Sequence, residues 1–175
     1  NDKFLITPDN LVRHIYKYRN YFGNEGGVTF SGGEPMLQHD FLLECLKLCK
    51  KMGIHTCLDT SGVGKSYKDI LKYVDLVIWD VKGLDSDGYR NMTGQDINPS
   101  LEFLEYCQSI NKKMWIRQVI VPGINDNIDY IKRLKKFIKP LKNIERVELL
   151  PYHLLGVSKY KQLGIPYRLD GVSAM

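Results

Sequence analysis

The sequence predicts an α/β fold built on a parallel sheet, and three observations carry that prediction. Segments of helical period alternate with short apolar runs along the whole chain. The run Leu76-Val77-Ile78-Trp79 is apolar on both faces, as strands covered by crossover helices are. Each such run follows a helical segment, the order in which parallel strands are joined by right-handed crossovers. The pattern leaves open whether the sheet curves as a barrel or lies open and doubly wound. No shift in composition marks a linker, so residues 1–175 read as a single domain.

The elements follow in order. Thr7-Pro8-Asp9-Asn10 starts the first helix, with a capping hydroxyl and then a proline whose missing N–H does no harm there. Leu11, Ile15, Tyr18 and Phe22 continue it at helical spacing, with Val12 beside Leu11. Strand Val28–Ser31 comes after Gly26-Gly27, then a helix from about Asp40 to Met52, stopped by Gly53. Strand Ile54–Leu58, a short helix Ser66–Tyr73 and strand Leu76–Trp79 follow. Asn98-Pro99 is read as the cap of a helix through Leu101, Leu104, Cys107 and Ile110. Pro122-Gly123 stops strand Met114–Val121, and a helix runs from about Asp126 to Ile138. The last strand, Val147–Leu150, ends at Pro151.

Composition narrows the function classes. A chain of 175 residues, 43% hydrophobic and 26% charged, can bury the core of one globular domain. No apolar run approaches the ~20 residues of a membrane span, and the N-terminus lacks a signal-peptide layout, so a cytoplasmic protein is expected. The net charge of +5 comes largely from helix faces such as Lys132-Arg133-Leu134-Lys135-Lys136. No aromatic residues interleave with these cations, so nucleic acid is not an expected partner. Cys45 and Cys49 lie one turn apart on a helix with no third cysteine in step. With Cys57 and Cys107 they read as buried thiols, neither cluster ligands nor disulfides.

Polar residues gather near the carboxyl ends of the strands, where parallel-sheet enzymes keep their sites. Ser31-Gly32-Gly33-Glu34-Pro35 follows the first strand, Asp59-Thr60 the second, Asp80 and Lys82 the third, and Tyr152-His153 the fifth. Arg117 lies inside the fourth strand between apolar neighbours. Gly32 and Gly33 let backbone approach a ligand, with Glu34 as acceptor for an ammonium group; the plainer reading of Glu34 is the cap of a tight turn. Asp59 and Asp80 suit a hard cation or an ion pair with Lys82, and otherwise cap helices. Arg117 needs a carboxylate or a peptide carbonyl, from the core or from a substrate. His14, His39 and His55 read as structural or surface residues, whereas His153 stands at a strand end.

Val28-Thr29-Phe30-Ser31-Gly32-Gly33-Glu34-Pro35 resembles the GGEP-type motif of radical S-adenosylmethionine enzymes. His55–Gly62, Trp115-Ile116-Arg117, Val121-Pro122-Gly123, Leu149–His153 and Leu169–Val172 resemble the pyruvate formate-lyase activating enzymes in particular. The likeness runs from about Leu11 to Val172 with the motifs in family order. It implies a partial (β/α)6 barrel of which five strands are present. It also implies that Gly32, Gly33 and Glu34 hold the amino group of S-adenosylmethionine. Asp59, Thr60 and Asp80 would lie beside its carboxylate and hold a monovalent cation. Lys82 and His153 would line the cofactor, with Arg117 between cofactor and substrate peptide.

Such activases use a reduced 4Fe–4S cluster to cleave the cofactor, and the resulting 5′-deoxyadenosyl radical takes hydrogen from a glycine of the partner. Pyruvate formate-lyase, or a related glycyl radical enzyme, is the implied partner, with an electron donor such as flavodoxin. The family's CxxxCxxC loop has no counterpart here. The chain is therefore expected to lack the first β/α unit and the cluster loop, and to be inactive alone. Strand Val28–Ser31 would then present an unpaired edge, with Leu5-Ile6 or the tail beyond Val172 as its covers. The other readings are an aldolase-like barrel with Lys82 as Schiff-base lysine, and a non-catalytic module that grips the partner's glycyl loop.

Overall fold

The structure is a computed structural model that describes residues 5–24 and 26–175. Its elements are α1 (Pro8–Tyr16), β1 (Gly27–Phe30), α2 (His39–Lys51), β2 (His55–Thr60), α3 (Tyr67–Leu71), β3 (Leu76–Val81), α4 (Ser86–Thr93), α5 (Asn98–Ser109), β4 (Met114–Ile120), α6 (Ile128–Ile138), β5 (Ile144–Pro151) and α7 (Val157–Leu163). All strand pairs are parallel, and the spatial order β1-β2-β3-β4-β5 is the chain order. A doubly wound sheet reverses direction at a switch point. This one never does, which decides the question left open by the sequence in favour of barrel-type winding.

The register sorts the side chains between two faces. Phe30, Leu58, Val77, Val81, Met114 and Ile116 pack outward against Leu42, Leu46, Ile70, Phe103, Leu104 and Leu134 of the helices. The inner face carries Cys57 and Asp59 on β2, Ile78 and Asp80 on β3, Trp115 and Arg117 on β4, and Arg146 and Glu148 on β5. One face is thus core, and the other is built largely of polar and charged groups.

Several boundaries differ from expectation. β2 and β3 run on through Asp59-Thr60 and Asp80-Val81, because the inward positions near their ends are polar while the ladder continues. The first helix stops at Tyr16, and a separate 3-10 turn spans Arg19–Tyr21. The cap of α5 is Ile97 and not Asn98, whose N–H is taken at 2.8 Å by Asp96. α6 begins after Asn127, whose side chain accepts from Tyr130 N–H at 2.9 Å. α4 and α7 carry no strong apolar period and are found only in the structure.

Neither expected cover pairs with β1, which is bonded to β2 alone among the described strands. Leu5 is 93% exposed, and the tail turns back to β5, where Met175 N–H donates to the Tyr152 carbonyl at 3.0 Å. The four cysteines are free and buried as expected. Burial pushes the Cys45 and Cys49 thiols up to about 11 and the Cys107 thiol up to about 12, which leaves them inert as nucleophiles. No described helix is long and apolar enough to cross a membrane.

Candidate functional site

The loop after β1 is shaped by its glycines. Gly32 has φ +112°, a backbone few side chains tolerate, and a Cβ added at Gly32 or Gly33 would meet nothing within 4 Å. The backbone here therefore faces open space. Glu34 anchors the loop instead of reaching into that space. Its Oε1 accepts from Met36 N–H (3.2 Å) and from the Thr60 hydroxyl (2.7 Å), and its Oε2 from Ser61 N–H (3.0 Å) and the Ser61 hydroxyl (2.8 Å). All four acceptor directions of the carboxylate are taken by donors of the chain itself. The turn-cap reading of Glu34 describes this geometry. The same bonds tie the β1 loop to the end of β2.

That end of β2 is itself locked. Gly62 sits at φ +81° with the space of a Cβ closed by Phe103 (3.0 Å), Trp79 Nε1 (3.0 Å) and Ser100 Oγ (3.2 Å). Thr60 faces the helices and is buried, and its hydroxyl also accepts from Gly62 N–H at 2.9 Å. Asp59 points the other way, accepting from the Ser31 hydroxyl at 3.2 Å and pairing with Arg117 Nη1 at 2.9 Å.

Four further charges complete the inner face. Lys82 Nζ donates to Asp80 at 3.1 Å. Glu148 Oε2 lies 3.5 Å from Arg117 Nε, and its Oε1 lies 3.0 Å from Arg146 Nη2, whose guanidinium covers the Trp115 ring at 4.9 Å. Asp59, Asp80 and Glu148 thus balance Arg117, Lys82 and Arg146. Sequence reasoning gave no role to Glu148 or Arg146. Their spacing of two within a strand was the available signal, since it places both on one face.

Lys82 and His153 line one cavity of about 670 Å³ with Gln118, Tyr160, Tyr167 and Arg168. Its outer wall is the segment after β5, held by the bond between the Tyr152 and Tyr167 hydroxyls at 2.8 Å and by the edge-on packing of Tyr160 and Tyr167 at 4.8 Å. Burial, then the bond to Tyr152, raises the Tyr167 pKa above its ordinary value. A larger cleft of about 1010 Å³ lies on the outer surface between α5 and α6, away from all these groups. Its wall is largely apolar, so chemistry and not volume singles out the inner face as the candidate site.

The structure therefore brings Asp59, Asp80, Lys82 and Arg117 onto one polar face and His153 onto the rim of the adjoining cavity. Glu34 and Thr60 support that face from behind. A charge-balanced surface beside bare glycine backbone fits the zwitterionic amino-acid part of S-adenosylmethionine. The cysteines do not fit an iron–sulfur cluster: Cys45, Cys49 and Cys107 are packed in helices, and Cys57 is buried in β2. Among the described residues no three metal-ligating side chains come together.

Comparison with known proteins gives the family of the chain. The Radical SAM superfamily profile matches residues 1–138. The pyruvate formate-lyase-activating enzyme of Clostridium pasteurianum is 46% identical over 172 residues, which is 97% of this chain and 72% of that protein. Pyruvate formate-lyase 1-activating enzyme of Escherichia coli K12 is 41% identical, over 95% of this chain and 70% of its own length. The crystal structure of a domain of the pyruvate-formate lyase-activating enzyme from Bacteroides vulgatus superposes with TM-score 0.67 at 26% identity, covering 85% of this chain and 84% of that one. The fold recurs at 19% identity and TM-score 0.71 in Streptococcus suis SuiB bound to its precursor peptide SuiA, over 95% of this chain and 37% of that one. The chain belongs to the radical SAM superfamily and, within it, to the pyruvate formate-lyase-activating enzymes.

Proposed function

We propose that the inner face of this sheet binds S-adenosylmethionine and presents it to the glycine-bearing segment of pyruvate formate-lyase. The activity is that of the family, activation of a glycyl radical enzyme by radical chemistry. The superfamily implies S-adenosylmethionine and a 4Fe–4S cluster as its cofactors. The observation that carries the assignment of residues is the balanced charge set beside the open backbone of Gly32-Gly33.

S-adenosylmethionine, when bound, supplies the radical chemistry; the chain's residues bind, orient and shield it. The backbone of Gly32 and Gly33 faces the cofactor's ammonium group, on a loop that Glu34 holds in place. Lys82 and His153 line the cofactor, as walls of the cavity they share. Arg117 stands between cofactor and substrate peptide, its Nη1 fixed by Asp59. Asp59, Thr60 and Asp80 would hold a monovalent cation beside the cofactor's carboxylate. Because the Thr60 hydroxyl is engaged by Glu34 and Gly62, Thr60 joins that shell only through its main chain. A flavodoxin-type protein as electron donor and a cytoplasmic location complete the proposal.

The test is titration calorimetry of S-adenosylmethionine with this chain and with Lys82→Ala and Gly32→Ala, beside glycyl-radical spectroscopy of pyruvate formate-lyase treated with the complete activase. Weaker binding in both variants, with less radical formed by the corresponding activases, is expected. Unchanged affinity in both would overturn the site assignment.

A further inference from the structure

Arg117 is bordered by carboxylates on two sides. Asp59 on β2 takes Nη1 at 2.9 Å, whereas Glu148 on β5 stands 3.5 Å from Nε. That Nε is buried and makes no hydrogen bond, since the distance is long and the alignment poor. A buried guanidinium N–H without an acceptor is costly, and here the acceptor is in place but not engaged. Among the described residues none accepts a hydrogen bond from Nη2. Glu148 is itself held from its far side, with Oε1 at 3.0 Å from Arg146, which rests on Trp115. It is 19% exposed, so solvent screens it weakly.

We infer that Glu148 is a positioning residue for Arg117: its carboxylate closes onto Nε when a substrate carbonyl or carboxylate draws the guanidinium by its open Nη2 edge. Asp59 then acts as the pivot and Glu148 as the stop. Arg146 and Trp115 keep the stop from moving with it. The resting distance of 3.5 Å is too long by about 0.6 Å for a charge-assisted hydrogen bond, which a small rotation of the guanidinium supplies. The inference rests on the proposed placement of Arg117 toward the substrate peptide.

Two measurements test it. On this chain, the Nε–Hε signal of Arg117 in a ¹H–¹⁵N spectrum should move downfield and exchange more slowly on addition of S-adenosylmethionine with a glycine-loop peptide. In Glu148→Ala it should stay at its resting position. In the complete, cofactor-loaded activase, Glu148→Ala should raise KM for that peptide about tenfold, with Glu148→Gln, which keeps the shape and one acceptor, in between. In an Arg117→Ala background the second substitution should add nothing. If Arg117→Ala leaves KM unchanged, the placement of Arg117 fails and takes this inference with it. If Arg117→Ala raises KM but Glu148→Ala does not, or if the two effects simply add, only the role of Glu148 is overturned.

Discussion

Asp80 and Arg117 are direct register partners on adjacent strands, yet they do not pair: Arg117 reaches across β3 to Asp59 on β2, and Asp80 takes Lys82 from its own strand end. The longer reach is the informative one. It lays the guanidinium over the middle of the sheet's inner face instead of along its neighbour, and it leaves the Asp80–Lys82 pair as a separate polar unit near the cavity mouth.

The reach has a measurable cost when broken. Asp59 and Arg117 side chains are 18% and 22% exposed, so removing one leaves a poorly solvated charge. Asp59→Ala should lower unfolding free energy by about 2 kcal/mol in urea titration. Asp59→Ala combined with Arg117→Met should recover much of it. A loss below about 0.5 kcal/mol in the single variant would mean the pair is effectively solvated.

Two glycines of the site should separate stability from binding. Gly62→Ala strains a left-handed backbone and pushes a methyl against Phe103, Trp79 and Ser100, so a loss of about 2–4 kcal/mol is expected by chemical denaturation. Gly32→Ala meets no neighbour and should cost about 1–2 kcal/mol for its backbone alone, while reducing S-adenosylmethionine affinity more than its stability loss explains. Equal stability losses in the two variants would contradict the packing described around Gly62.

Glu34 gives a third test. Glu34→Gln offers one acceptor oxygen where two are used and turns an NH2 donor toward other donors. Hydrogen exchange at the Ser61 amide should speed up by about tenfold, with a matching drop in cofactor affinity. Faster exchange without weaker binding would show that the clamp does not serve the site.

The opposite end of the sheet predicts a pH dependence. Burial pushes the Asp75 carboxyl up, but bonds from Lys50 (2.8 Å) and from Thr56 N–H (2.9 Å) and hydroxyl (3.1 Å) outweigh it, and its pKa lies below the ordinary value. A depressed carboxylate stabilises the fold above its unfolded pKa, about 3.9, and that contribution fades as pH falls through the folded value. The Tm of the parent chain should therefore drop more steeply below about pH 4 than that of Asp75→Asn. Parallel curves would refute the linkage.

Thiol reactivity supplies the last test. With burial raising the Cys45 and Cys49 thiols to about 11 and the Cys107 thiol to about 12, a thiol-specific dye should label these three only on unfolding. Rapid labelling of any of them in the native chain would mean that the helices bearing them open locally.

The strands, their order of appearance and the inward polar residues were legible because each signal is local: an apolar run, a glycine pair, a charge at a strand end. Asp59, Asp80, Lys82 and Arg117 could be marked on those grounds. Glu148 could not, since its meaning depends on lying beside Arg117 in the register of β4 and β5. The saturation of Glu34 was equally hidden: three of its four donors belong to Thr60 and Ser61, some 26 and 27 residues away. α4 escaped notice because much of its hold is polar, through Asp85, which accepts from Gly88 N–H at 2.7 Å and pairs with Arg133 of α6.

The clamp from Glu34 to Ser61 also bears on how tightly a ligand can be held. A glycine-rich loop is among the most mobile stretches of an unfolded chain, and freezing it at the moment of binding would weaken the affinity. Here two adjacent strands share one carboxylate, so the loop is ordered when the sheet forms. A ligand arriving at Gly32-Gly33 finds backbone already stationary, and its own contacts go into affinity instead of into arranging the protein.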